Sequence, residues 1–160
     1  MRAIILVGGF GTRLRPLTNY KPKQILTVGN RPMLENVIEK LADDGITEVI
    51  LSMGFQPSVF VDAYPDEICA GLPIKYVIEP EPLDTAGAIR FAALQSDVGE
   101  TFLVCNGDVI TDIDVSELTA FHRNVSAEAT ISLTPAENPS RYGIVPVSYT
   151  HLTLQTNREV

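Results

Sequence analysis

The sequence predicts an α/β protein built on a doubly wound, mostly parallel sheet. Three observations carry that expectation. Residues 2–7, RAIILV, are a continuous apolar run that stops at glycine, as a strand buried on both faces does. Strand-like and helix-like segments then alternate along the chain. The two turns richest in chemical groups, residues 8–24 and 106–108, directly follow strand-like segments, where ligands of such sheets bind.

The elements follow in order. Residues 31–44 place Met33, Leu34, Val37, Ile38 and Leu41 on one helical face, with Pro32 suited to the first turn and Gly45 to the C-terminal cap. TEVILSM (47–53) is a second strand, PSVFVDAY (57–64) a short helix and IKYVIE (74–79) a third strand. TAGAIRFAALQ (85–95) is a helix with Asp84 as its N-cap. TFLVCN (101–106) is a fourth strand, VSELTAFHR (115–123) a helix capped by Asp114, and AEATISLTP (127–135) a fifth strand.

The 160 residues suffice for one domain with a real core, and 45% apolar content is ordinary for a globular chain. No apolar run approaches the ~18 residues that cross a bilayer. The opening MRAIILVGG is too short for a signal peptide and lacks a small-residue cleavage site. A cytoplasmic protein without a membrane partner is expected. Cys69 and Cys105 sit in unrelated contexts and read as free buried thiols rather than a bridge or a metal pair.

The net charge of −8 argues against broad contact with nucleic acid or an anionic membrane. Its distribution is uneven. Residues 1–40 hold Arg2, Arg13, Arg15, Lys21, Lys23, Arg31 and Lys40 against Glu35 and Glu39, a net of +5, so the rest of the chain carries −13. A local basic segment in an acidic protein suggests a small anionic ligand; the plainer reading is a set of solvated surface charges.

The segment GGFGTRLRPLTNYKPKQ (8–24) narrows the choice. A dinucleotide fingerprint would need glycine at position 14, which is Leu14, and a P-loop would need Gly-Lys-Ser/Thr. What remains is a glycine turn followed by cations. Gly8, Gly9 and Gly11 let successive backbone N–H groups face one concavity. Thr12 adds a hydroxyl, Arg13 a planar fork that matches phosphate oxygens, and Lys23 a point charge. Pro16 and Pro22 stiffen the loop. A tight turn with incidental basic residues is the alternative.

GGFGTRLRPLT…KPK, EPLDTAGAI (81–89), NGDV (106–109) and PSRYGIV (139–145) occur in one order and span nearly all of residues 1–146. Together they resemble the sugar-phosphate nucleotidyltransferases, the NDP-sugar pyrophosphorylases. Thr85–Ala88 most resembles the mannose-1-phosphate guanylyltransferase branch. Two positions depart from the pattern: Asp84 stands where many guanylyltransferases have glycine, and Gln24 where many relatives have proline.

The resemblance implies a Rossmann-like fold and a reaction. A nucleoside triphosphate, GTP first, and a sugar-1-phosphate, mannose-1-phosphate first, give an NDP-sugar and pyrophosphate. The alternatives are a glucose- or heptose-type phosphate as acceptor, or a non-catalytic nucleotide-binding regulatory relative. The attacking phosphate oxygen is already ionised, so no general base is needed, and catalysis reduces to alignment and charge neutralisation. By the same resemblance Gly8, Gly9, Gly11 and Thr12 line the nucleotide. Arg13 and Lys23 neutralise the reacting phosphates, and Gly87 lets a helix N-terminus approach base or ribose. Asp108, presented by Asn106 and Gly107, binds Mg²⁺. Without the other motifs Asn106–Asp108 would read as a plain turn. Tyr142 and Gly143 match a segment near the sugar. Asp108, Asp112 and Asp114 do not follow a calcium-loop spacing, and His122 reads as surface. A homo-oligomer is implied for a full-length protein.

Residues 147–160 stand apart. VSYTHLTLQT (147–156) resembles the conceptual translation of a sequencing-library transposon adapter, VSYTHLTLPT, with only Gln155 departing. Residues 1–146 are therefore expected to be the N-terminal part of a catalytic domain that continues beyond Pro146, and 147–160 a non-native tail. The second Lys and second Asp of the family lie farther along and have no counterpart here, so this truncated chain is expected to show little or no transferase activity.

Overall fold

The computed structural model describes residues 1–133 and the backbone of two short strands at 147–148 and 151–152. Strand β1 (Arg2–Leu6) is followed by a long loop with 3₁₀ turns at Thr12–Leu14 and Lys23–Ile25. A two-residue ladder, β2 (Thr27–Val28) with β3 (Arg31–Pro32), leads into helix α1 (Met33–Asp43). Then come β4 (Glu48–Met53), α2 (Pro57–Ala63), β5 (Ile68–Cys69), β6 (Leu72–Ile78), α3 (Asp84–Gln95), β7 (Leu103–Asn106) and α4 (Val115–Asn124). Among the described residues, strands β8 (Val147–Ser148) and β9 (His151–Leu152) pair with each other alone, antiparallel.

The main sheet has the order β5-β6-β4-β1-β7, with β1 parallel to both neighbours and β5 the single antiparallel strand at one edge. Alternation along β1 explains its unbroken apolar sequence. Ala3, Ile5 and Val7 face a core with Leu34, Ile38 and Leu41 of α1 and Phe60 of α2, while Ile4 faces Ile50, Val77 and Ala92 of α3. Helices thus cover both faces, as a doubly wound sheet requires. Each such buried aliphatic side chain contributes about 1.5–3 kcal/mol.

Most predicted elements lie within a residue or two of their expected bounds, and two differ. Asp84 does not cap α3: Leu83 holds the cap position without a side-chain bond, and Asp84 is the first residue of the helix, with φ +56°. Asp114 does cap α4, accepting from the Glu117 N–H at 2.9 Å. Residues 127–133 form no strand. Ile131 and Leu133 stay exposed there, so the apolar alternation finds no partner face. The expected strand's last two positions, like Tyr142, Gly143 and the motif 139–145, lie outside the described residues.

Three of the seven N-terminal bases are structural. Arg2 donates to the carbonyls of Ser96 and Asp97 at 3.1 and 2.9 Å, tying β1 to the end of α3. Arg31 pairs with Glu39, and Lys40 with Asp44. The cations left are Arg13, Arg15, Lys21 and Lys23, all in the loop after β1.

Both cysteines are free, Cys69 buried and Cys105 partly so. Burial pushes each thiol up to about 12; for Cys69 a hydrogen bond with Tyr64 opposes part of that rise. An unfolded thiol ionises near 8.5. Between about pH 8.5 and 12 the unfolded chain therefore releases protons that the folded chain retains, and stability falls as pH rises. Urea midpoints are expected to be lower at pH 10.5 than at pH 8. Cys69 is expected to react with a disulfide reagent at pH 8 only after denaturant is added.

Candidate active site

Chain connections leave β1 toward β4 on one side, while β7 lies on the other. The C-terminal ends of β1 and β7 therefore flank the point where strand order reverses, the crevice in which open α/β sheets bind ligands. Register places Leu6 beside Asn106, and the Gly107 N–H donates to the Leu6 carbonyl at 3.1 Å. The glycine loop and the Asn106–Asp108 turn are thus neighbours by strand pairing.

Glycine is needed at position 107 for space. A Cβ there would stand 2.7 Å from Val7 Cγ1 and 3.1 Å from Ile5 Cγ2, inside the core that anchors β1. Position 11 needs glycine for conformation and space together. Its φ is +59°, and a Cβ would meet Thr18 Cγ2 at 3.0 Å. Thr18 cannot swing aside, because it is buried and its Oγ1 donates to the Gly11 carbonyl at 2.8 Å.

Lys23 runs along this loop. Its Cβ and Cε lie 3.6 and 3.9 Å from where Cβ atoms of Gly11 and Gly9 would be, and its ammonium forms an ion pair with Asp108. Among the described residues, the backbone N–H groups of Gly8, Gly9, Phe10 and Gly11 donate to no backbone acceptor. Free donors beside a cation are the ingredients of an anion cradle. Thr12 and Arg13 occupy the exposed 3₁₀ turn that follows, and Arg13 has no ion pair with a described residue. Gly8, Gly9, Gly11, Lys23 and Asp108 are therefore brought together, with Thr12 and Arg13 on the rim.

Gly87 joins them less directly. It lies in the first turn of α3, where a Cβ would meet Leu83 Cβ at 3.0 Å. The link to the loop is Glu79, which no motif in the sequence marks. Glu79 Oε2 accepts from the Leu83 N–H at 3.3 Å, and Oε1 accepts from the buried Ser52 hydroxyl at 3.1 Å. The same Oε1 lies 3.5 Å from the position of a Cβ on Gly8. A carboxylate directly after β6, at the same sheet end as the other turns, was the available signal. A second wall residue, Gln24, is fully buried with an Oε1 that has no partner among the described residues.

As for a metal, no three His, Cys, Asp or Glu side chains converge among the described residues. Asp108 fits a different kind of cation site. Its carboxylate already holds a positive group, the Lys23 ammonium. A hard ion that keeps waters and takes substrate phosphate oxygens needs only one or two carboxylates. His122 is half-buried and meets the Thr130 hydroxyl at 2.9 Å, away from this cluster. A cavity of about 870 Å³ runs instead along the outer edge of β7 and is lined by residues such as Leu41, Leu103, Ile113 and Leu118.

Two substitutions test this local geometry. Gly11→Ala is expected to cost about 1–2 kcal/mol in urea denaturation, because φ and the Thr18 contact both oppose a Cβ. Asp84→Gly is expected to stabilise by up to about 1 kcal/mol, since a left-handed residue at the start of α3 suits glycine. A lower melting temperature for Asp84→Gly would show that the Asp84 carboxylate offsets its backbone strain.

Comparison with known proteins agrees with the geometry. The sequence profile of the family described as nucleotidyl transferase matches residues 2–157. A rice protein (Oryza sativa subsp. japonica) named "Probable mannose-1-phosphate guanylyltransferase 1" is 45% identical over 148 residues, 91% of this chain and 41% of its own length. A Dictyostelium discoideum protein named mannose-1-phosphate guanylyltransferase catalytic subunit beta is 43% identical over the same shares. The chain thus spans about two fifths of the length of the curated relatives it matches. HddC from Yersinia pseudotuberculosis, solved in complex with GMP-PN, superposes with a TM-score of 0.78 at 27% identity, covering 95% of this chain and 67% of that one. With a profile match over almost its whole length, and a glycine loop, a lysine and an aspartate gathered at the sheet's reversal point, the chain belongs to the nucleotidyl transferase family.

Proposed function

We propose that this chain carries the nucleotide-binding part of an enzyme that transfers a guanylyl group from GTP to mannose-1-phosphate, giving GDP-mannose and pyrophosphate. The observation that carries the reading is the meeting of the Gly8–Gly11 loop, Lys23 and Asp108 at the C-terminal ends of β1 and β7. The names of the similar proteins support guanine and mannose over the glucose- and heptose-type alternatives. Arg13, Lys23 and Asp108 are all present, which favours catalysis over a regulatory relative.

In this reading the loop donors and Lys23 hold the triphosphate, and Arg13, on the exposed turn, reaches the phosphates from solvent. The acceptor is a phosphate oxygen that needs no deprotonation, so the residues align two anions and offset their repulsion. Asp108 would hold a divalent ion, Mg²⁺ in the first instance; when bound, it supplies charge neutralisation across phosphate oxygens. Gly87, in the first turn of α3, leaves space near base or ribose. Residues 1–146 are the part assigned to this domain. Residues 147–160 are left out of it, and assembly into a homo-oligomer is proposed for the full-length protein. No helix among the described residues is long and apolar enough to cross a membrane, and a cytoplasmic site of action is part of the same proposal.

The test is equilibrium binding of GTP, ATP, UTP and dTTP to this chain with Mg²⁺. GTP is expected to bind best, and Arg13→Ala to weaken it about 10- to 100-fold, the loss of one or two charge-assisted hydrogen bonds. Equal affinity for all four would remove the guanine assignment. Any pyrophosphate release is expected to be greater with mannose-1-phosphate than with glucose-1-phosphate; the reverse order would replace the acceptor.

A further inference from the structure

The two groups assigned to different ligands, Lys23 to phosphate and Asp108 to the cation, neutralise each other in this structure. Resting on the function proposed above, we propose that this ion pair is an internal counter-ion lock that couples nucleotide binding to divalent-cation binding. Three features argue for it. Both side chains are 26% exposed, so each is partly withdrawn from water and would be disfavoured if left unpaired. Lys23 has no other ion-pair partner among the described residues, and neither has Asp108. The lysine stem also lies beside Gly9 and Gly11, which carry no Cβ to obstruct a swing of the ammonium toward the free loop N–H groups.

The consequence follows from charge balance. A divalent cation arriving alone must displace the ammonium from Asp108 and leave two like charges close together. A metal-free triphosphate must draw Lys23 away and face an unpaired carboxylate. When both ligands arrive, phosphate takes the ammonium, the cation takes the carboxylate, and no charge is stranded. Each ligand therefore raises the affinity of the other by the same factor. For a pair this exposed the expected coupling is about 3- to 10-fold.

The measurement is Mn²⁺ binding to the 160-residue chain by electron paramagnetic resonance, with no nucleotide present. Lys23→Met and Lys23→Gln are each expected to bind Mn²⁺ about 3- to 10-fold more tightly than the parent. Lys21→Met removes the same charge from the same exposed segment and is expected to change affinity less than about twofold. Unchanged affinity in the Lys23 variants, or equal tightening in Lys21→Met, would overturn the lock. Should both Lys23 variants fail to fold, Asp108→Asn decides. In EDTA it is expected to bind inorganic triphosphate several-fold more tightly than the parent, and equal binding would overturn the proposal. Because the Mn²⁺ titration contains no GTP, failure of GTP to bind would sink the proposed function and leave this result standing. Normal GTP binding beside unchanged Mn²⁺ affinity would sink the lock alone.

Discussion

The pairing of β1 with β7 is the constraint on which the rest depends. It places two turns side by side that are almost a hundred residues apart in sequence, and it does so through backbone hydrogen bonds rather than through any functional side chain. The pairing continues past the strand ends only because Gly107 lets its backbone lie against Val7 and Ile5. Those two residues belong to the core packed beneath α1 and α2. The site is therefore referenced to the most deeply buried part of the molecule. A rigid scaffold of this kind is what charge-aligning chemistry needs, since misplacement of a phosphate-binding group by about an ångström costs on the order of a hundredfold in rate.

Electrostatics within that frame is economical. Of the seven bases in the first forty residues, Arg2, Arg31 and Lys40 are committed to helix ends and local ion pairs. The remaining cations lie in one loop, so the basic character read from the sequence is concentrated further by folding. Lys23 is the one whose stem lies beside Gly9 and Gly11, and its carboxylate partner comes from the other strand. Loop, lysine and aspartate thus form one electrostatic unit supplied by two strands.

Much of the fold was legible because its signals are local. Apolar runs gave the parallel strands, helical periodicity gave α1, and Asp114 announced the start of α4. What escaped depends on tertiary context. Asp84 has the chemistry of a cap, yet the chain arrives at α3 with the residue in a left-handed conformation and no side-chain cap bond. The AEATISL alternation at 127–133 has the period of a strand, but a strand also needs an edge to pair with, and its apolar positions stay exposed. Glu79 was invisible as a site residue because an acid after a strand is common. Its significance comes only from Ser52, Leu83 and Gly8 converging on it.

The candidate site is a different case: the motifs name residue types but not how those residues meet. Glycines, a lysine and an aspartate could have been arranged as separate phosphate and metal pockets. The structure makes them one contact, because Lys23 lies along the loop and Asp108 stands at the adjacent strand end. A residue pattern specifies chemical types, whereas strand order specifies distances, and it is distance that makes Lys23 and Asp108 each other's counter-ion. Here the resting interaction and the proposed working interactions use the same two charges, so binding exchanges partners instead of creating new charge in a half-buried cleft.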